Sequence, residues 1–289
     1  MNFGTVAILG PGLIGGSLAL ALAERGLADR LMLYARSPRA LDEIRTAGVK
    51  AELTGNPSEA VREADVVVLC VPIEAMPGLV REFVDALKPT ALVTDVGSVK
   101  GSVDRHLSSL LAGKALWIGS HPMAGSEQAG FAAARANLFE DAAVIITPTD
   151  DTQLKAKHRA TQFWEALGAR IFVYEPEIHD RLVAQISHLP HLLAAALANH
   201  ASEEARELAG GGFRDTTRVA SGSPELWVEI LLTNRDAISS SLALLLSNIA
   251  KMQDVIDMGE KTELLKFLQQ AQQARSQLLE KKPDLNKRP

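Results

Sequence analysis

The sequence predicts an α/β chain whose C-terminal part is entirely helical. Three observations carry this. Short apolar runs alternate with helix-like segments through the first 175 residues. The run DVVVLCV at 65–71 is apolar without alternation, as a strand buried on both faces of a parallel sheet must be. Beyond His179 no strand pattern recurs. Alternation of this kind builds a parallel sheet with helices on both faces, a Rossmann-like nucleotide-binding architecture when a glycine loop follows the first strand.

Taken in order, TVAIL at 5–9 is a short apolar strand, and the alanine- and leucine-rich 14–24 is a helix. A second strand at 31–34 leads into a helix at 38–47 opened by Pro38, a residue suited to a first helical turn. After 65–71 come further strands at 91–95, 116–119, 142–147 and 170–174, with helices in most of the gaps. The pattern changes at 174–180. Segments 179–209, 224–256 and 260–280 read as helices, with GGGF at 210–213 as a break and Gly222-Ser223-Pro224 as a start signal. The expected domains are therefore 1–175, of alternating strands and helices, and 176–289, all helical. The tail at 281–289 is expected to fray. SSLALLLSNI at 240–249 is apolar over nearly three turns, more than one small helical domain can cover, so a homodimer is expected.

The apolar fraction of 47% supports a sizeable core, and a net charge of -5 gives no electrostatic reason to expect nucleic acid or an anionic membrane. The single cysteine, Cys70, excludes an internal disulfide and a cysteine metal cluster. MNFGTVAILG lacks the features of a signal peptide, and no apolar run reaches the length of a membrane span. The cytoplasm is the expected location.

GPGLIG at 10–15 lies between the first strand and the first helix, the context in which a GxGxxG pattern binds a dinucleotide. Gly10 permits the tight turn, Gly12 admits the pyrophosphate, and Gly15 lets the helix pack on the sheet. Leu13 and Ile14 open a helix whose free N–H groups face the phosphates. Where an NAD-binding chain usually places an acid after the second strand, this one has Ala35, then Arg36 and Ser37. An acid would repel a 2′-phosphate, whereas arginine and serine would bind one, so NADP is the preferred cofactor. The alternative is NAD, with Arg36 lying over its adenine.

Two loops beyond the strand ends carry chemistry. Ser98 lies in DVGSVKG at 95–101 and His121 in GSHPMAG at 119–125. Histidine titrates near working pH, and a dehydrogenase acting on an alcohol needs a base at the hydroxyl, so His121 with Ser98 is the leading candidate. Lys100 and Glu127 are weaker ones, and Glu127 could instead cap a helix. His179, His188 and His191 fall within HDRLVAQISHLPH at 179–191; their spacing matches no zinc pattern, and no metal is expected. Either they are satisfied core histidines or they line a substrate cleft. Arg214 and Arg218, four apart in a glycine-rich segment, could each hold a carboxylate or pair with Asp215 or Glu225.

Five segments in order, GPGLIGGSL, DVGSVK, SHPMAGSEQAG, HDRLVAQISHLPH and GGFRDTTRVASGSPELW, resemble the prephenate/arogenate dehydrogenase family across nearly the whole chain. The resemblance implies oxidative decarboxylation of a cyclohexadienol carrying a ring carboxylate, with hydride passing to the nicotinamide, in tyrosine biosynthesis. It implies that His121 takes or polarises the hydroxyl proton and that Ser98 orients both. It gives Arg218 the ring carboxylate, with Arg214 its competitor, and sets His188 on the substrate side with His179 near it. Prephenate and arogenate both remain open. Because 289 follows soon after the last expected helix, the fused mutase or regulatory domain of some relatives is not expected. Two other readings are a β-hydroxyacid-type dehydrogenase, which would use a lysine where this chain is rich in histidine, and a dinucleotide-binding module without catalysis.

Overall fold

A computed structural model describes residues 1–280 apart from Glu127. The expected fraying of 281–289 and the capping role of Glu127 thus lie outside the described residues. The chain forms two compact units, residues 1–238 and the part from Ser239 onward.

In the first unit, β1 (Thr5–Leu9), α1 (Leu13–Glu24), β2 (Arg30–Tyr34), α2 (Pro38–Thr46), β3 (Glu52–Thr54), α3 (Pro57–Val61), β4 (Val66–Leu69), α4 (Met76–Phe83), β5 (Leu92–Asp95), α5 (Gly101–Leu111) and β6 (Leu116–Trp117) follow in order. The strands form one parallel sheet in the order β3-β2-β1-β4-β5-β6. This is the doubly wound order whose reversal point lies at the C-terminal ends of β1 and β4. Alternate strand residues feed opposite cores. Val6, Ile8, Val66 and Val68 pack on one face with Leu18, Leu22 and Phe163, while Ala7, Leu9, Val67 and Leu69 pack on the other with Val80, Phe83 and Leu107. Burial of both faces explains the unbroken apolar runs. The helix starts have local causes. Asn56 accepts from the backbone N–H groups of Ser58 and Glu59 at the head of α3, and Pro38 and Pro57 stand in first turns.

Two strand expectations need correction. β3 has only three residues, too few to leave a pattern. The single strand expected at 116–119 is two: β6 ends at Trp117, and β7 (Gly119–Pro122) belongs to a second sheet with β8 (Ala143–Thr147) and β9 (Arg170–Val173). β7 runs antiparallel to β8, and β8 parallel to β9, so the molecule is not built on one parallel sheet. The transfer at Ile118 is held by side chains. Asp95 at the end of β5 accepts from the backbone N–H of Ser120, and the Thr94 and Ser120 hydroxyls lie 2.7 Å apart. A Cβ on Gly119 would stand 2.6 Å from Thr147 Oγ1, so only glycine fits where the chain crosses.

α6 (Leu154–Ala166) precedes β9. After β9 no described residue is in a strand. α7 (Pro176–Val183), a π-helical turn at Ala184–His188, α8 (Leu189–His200), α9 (Glu203–Glu207), α10 (Gly211–Thr217) and α11 (Pro224–Thr233) complete the first unit, followed by α12 (Arg235–Asp257) and α13 (Lys261–Glu280). The π turn has a cause in sequence: Pro190 has no N–H to give the carbonyl four residues back, so the ladder is already broken there. The break expected at 210–213 falls at 208–210, and α10 already begins at Gly211. α12 and α13 leave Leu244, Leu246, Ile249, Ile256, Leu265 and Leu268 exposed. No helix among the described residues is long and apolar enough to cross a membrane.

Candidate active site

The glycine loop shapes the cleft first. Gly10 has φ +97°, and a Cβ there would stand 2.5 Å from the Cys70 carbonyl oxygen. A Cβ on Gly15 would stand 2.6 Å from the Gly10 carbonyl oxygen, while one on Gly12 would meet nothing within 4 Å. Two of the glycines thus serve the protein's own packing, and Gly12 is bare toward open space. That is the arrangement a pyrophosphate needs at a helix N-terminus, and the residues fit a dinucleotide. Two cavities meet at this loop, sharing Gly10, Gly12, Cys70, Val71 and Pro72. One, of about 620 Å³, is lined by Tyr34, Ala35, Arg36, Ser37, Glu43 and Glu82. Arg36 and Ser37 are exposed at its wall, and the Ser37 side chain does not cap α2.

The other cavity, of about 560 Å³, is lined by Leu13, Ile14, Gly15, Ser98, His121, His188, Trp227 and Glu229 among others. His121 is a strand residue of β7, not a loop residue, and is only 6% exposed. Its Nδ1 lies 2.8 Å from His179 Nε2, and His179 Nδ1 lies 2.8 Å from Asp180 Oδ1. Asp180 also accepts from the backbone N–H groups of Lys100 (2.8 Å) and Gly101 (2.9 Å), at the start of α5. Burial is the largest influence on His121; with His179, Lys100 and His188 close by, it holds the imidazole well below its ordinary pKa. His121 is therefore neutral at pH 7 and able to accept a proton.

Lys100 is no candidate base. Its side chain is fully buried, ion-paired with Asp95, and donates to the Ser120 carbonyl oxygen at 2.8 Å. It braces the strand that carries His121. Burial lowers its pKa, opposed by the Asp95 carboxylate.

The π turn sets His188 into the cavity wall. Asn234 Nδ2 lies 3.0 Å from His188 Nδ1 and 2.9 Å from the Asp180 carbonyl oxygen. Donation by Asn234 leaves the proton of His188 on Nε2, which is buried and has no protein partner. Burial pushes His188 down to about 4, so it offers a neutral donor. Trp227 stacks on His191 with ring centroids 3.5 Å apart and 12° between planes. Gly222 leaves room for that indole, since a Cβ would stand 2.6 Å from Trp227 Nε1. Glu229 Oε1 accepts from the Glu74 backbone N–H at 2.6 Å and joins α11 to the segment after β4.

The structure thus brings Ser98, His121 and His188 to one cavity beside the glycine loop. His179 is fully buried behind His121 and does not line the cavity; the group bonded to His121 Nδ1 is His179 rather than Ser98. Arg214 in α10 and Arg218 in the turn after it are exposed and are not among the cavity's lining residues. Sequence reasoning missed Asp180, Trp227, Glu229 and Asn234. Asp180 stood beside a singled-out histidine and Trp227 inside a singled-out motif, but neither carries a local signal of its role. Among the described residues no group of three His, Cys, Asp or Glu side chains could hold a metal ion.

A family model described as prephenate dehydrogenase, nucleotide-binding domain, matches residues 18–173, and one described as prephenate dehydrogenase, dimerization domain, matches residues 175–270. A cyclohexadienyl dehydrogenase of Zymomonas mobilis is 36% identical over 280 residues, covering 94% of this chain and 95% of that protein. The crystal structure of A. aeolicus prephenate dehydrogenase in complex with hydroxyphenyl propionate and NAD+ superposes with a TM-score of 0.89. It is 29% identical, over 96% of this chain and 99% of that one. Synechocystis arogenate dehydrogenase gives 0.82 at 32% identity, over 95% of this chain and 99% of that one.

Proposed function

This chain belongs to the prephenate dehydrogenase family, and on that premise we propose that it oxidatively decarboxylates prephenate, arogenate or both, with a nicotinamide dinucleotide as hydride acceptor, in tyrosine biosynthesis. The observation that carries the reading is the placing of a buried, neutral His121 in the wall of the cavity that the glycine loop opens. The bound nicotinamide supplies the acceptor for the hydride leaving the ring carbon.

His121 takes the proton of the hydroxyl on that carbon as the hydride departs. A positioned base of this kind contributes about 10²–10⁴-fold. The ring carboxylate then leaves as carbon dioxide, its bonding pair enters the ring, and the phenolic oxygen recovers a proton. Aromatisation drives the step, so the protein's task is positioning and charge management. Ser98 hydrogen-bonds the hydroxyl, and His188 donates to an acceptor on the substrate. Arg218 holds the ring carboxylate, with Arg214 as the alternative. Both arginines are exposed, on the segment that precedes α11, which carries Trp227 and Glu229 of the cavity wall.

Arg36 and Ser37 favour NADP, since neither they nor Ala35 repel a 2′-phosphate. The exposed apolar residues of α12 and α13, within the span matched by the dimerization model, support a homodimer. We place the domain boundary at 175/176, near residues 173–175, where one family match ends and the other begins. The test is a set of initial rates with prephenate or arogenate, each with NAD or NADP. Turnover of at least one substrate with a higher kcat/KM for NADP is expected. An NAD preference would refute the reading of Arg36 and Ser37, and no turnover in any combination, with cofactor bound, would refute the activity.

A further inference from the structure

The geometry points to His179 and Asp180 as positioning residues that fix the tautomer of His121 and balance the charge it acquires, a role distinct from contact with substrate. The inference rests on the reading of His121 as the base. It begins at the head of α5. The two carboxylate oxygens of Asp180 accept from the N–H groups of Lys100 and Gly101, so Asp180 stands there as an acceptor at the positive end of a helix. It can only accept from His179 Nδ1, 2.8 Å away, which must therefore carry the proton. A neutral His179 then has its lone pair on Nε2. That lone pair faces His121 Nδ1 at 2.8 Å, so the His121 proton sits on Nδ1. The ring centroids are 5.0 Å apart with 64° between planes, an end-on meeting of nitrogens rather than a stack.

The consequence is chemical. His121 lines the cavity, its Nδ1 is occupied, and Nε2 is left with a lone pair for the substrate hydroxyl. When the O–H bond breaks, the proton bonds to Nε2. His121 becomes an imidazolium whose Nδ1–H still donates to His179, and His179 still donates to the Asp180 carboxylate. No proton has to travel along the chain. The phenolic oxygen takes the Nε2 proton back once carbon dioxide has left, so the three residues end as they began. A buried aspartate behind a catalytic histidine holds tautomer and charge in the same way in the serine proteases. Here a second imidazole is interposed.

The surroundings are consistent with this reading. Burial lowers the His179 pKa against the pull of Asp180, which keeps His179 neutral. Burial would raise Asp180, but the hydrogen bonds from His179, Lys100 and Gly101 hold it below the ordinary carboxylate range. The charged and titratable groups facing this trio are Lys100 and Asp95, His188 from the π turn, and Arg105 and Glu177 near Gly101.

The test compares the full-length wild type with His121→Asn, His179→Phe and Asp180→Asn, scoring kcat, KM, cofactor affinity and the acid limb of kcat/KM. His179→Phe leaves the bonds between Asp180 and α5 in place, and so guards against a folding defect in Asp180→Asn. For His179→Phe and Asp180→Asn the expected result is a kcat lower by about 10²–10⁴-fold, with KM and cofactor affinity nearly unchanged. In Asp180→Asn the acid limb should also move to lower pH, because the imidazolium has lost its counter-charge. A merely structural role would not move that limb. If both variants keep wild-type kcat and the same limb while His121→Asn is inactive, the positioning role is wrong and the base assignment stands. If His121→Asn is fully active, the base assignment itself fails. Nitrogen-15 shifts of labelled histidine in the wild type give an answer independent of turnover: a proton on Nδ1 of His121 supports the inference, and one on Nε2 overturns it.

Discussion

At the scale of single residues, Gly12 and Gly10 separate two effects that are usually merged. A methyl group on Gly12 meets no protein atom within 4 Å. Gly12→Ala should therefore leave Tm unchanged while weakening dinucleotide binding at least tenfold, about 1.4 kcal/mol, measured by fluorescence titration and thermal melting of one sample. Gly10→Ala should lower Tm as well, because φ +97° and the Cys70 carbonyl both oppose a side chain. His121 gives a second prediction. Its pKa is depressed by burial and the reaction needs the neutral ring, so kcat/KM should persist as pH falls through 6.5 and be lost only below it. An acid limb at or above 6.5 would contradict this. His188 adds a stability term with the opposite demand on the unfolded chain. Between its unfolded value near 6.5 and its folded value of about 4, only the unfolded state takes up the proton. That group should thus remove about 3 kcal/mol of stability as pH falls across the window, and His188→Gln should show a shallower loss in urea titrations.

At the scale of elements, the strand ends decide what the cleft binds. β2 delivers Ala35, Arg36 and Ser37 to the far end of the dinucleotide cleft. Ala35→Asp would place a carboxylate against a 2′-phosphate. It should lower kcat/KM with NADP at least tenfold and leave NAD little changed, read from initial rates. β1, β2 and β4 were legible because each is an apolar run, and β1 was legible to the residue. β3 was not, because three edge residues have no period. The passage from β6 to β7 was also hidden. LWIGS carries no charge or proline to mark the transfer, and the contacts that turn the chain come from Thr94 and Asp95, more than twenty residues earlier. In the same way, His121 and His179 were each visible in the sequence, but their bond joins residues 58 apart. The π turn at Ala184–His188 was hidden by a pattern that reads as one continuous helix.

At the scale of the whole molecule, the two family models divide the chain into a nucleotide-binding part and a dimerization part. The composition already fitted this, with one long apolar stretch in 240–249 in need of cover. If α12 lies in the proposed homodimer interface, Leu246→Glu with Ile249→Glu, both exposed on α12, should give a monomer by sedimentation where the wild type is a dimer, and leave the sheet of the first unit folded. A double variant that remains dimeric would place the interface elsewhere.

The central claim is that one cleft removes a hydride and a carboxylate from the same ring under the control of His121. It is tested most directly by stoichiometry. Wild type and His121→Asn are given prephenate and oxidised cofactor, and the reduced nicotinamide formed is measured beside the carbon dioxide released. Prephenate that is not turned over is replaced by arogenate. The account predicts one carbon dioxide for each reduced nicotinamide in the wild type, and both falling together by at least about 100-fold in His121→Asn. Reduction without decarboxylation, or an undiminished rate in the variant, would contradict it.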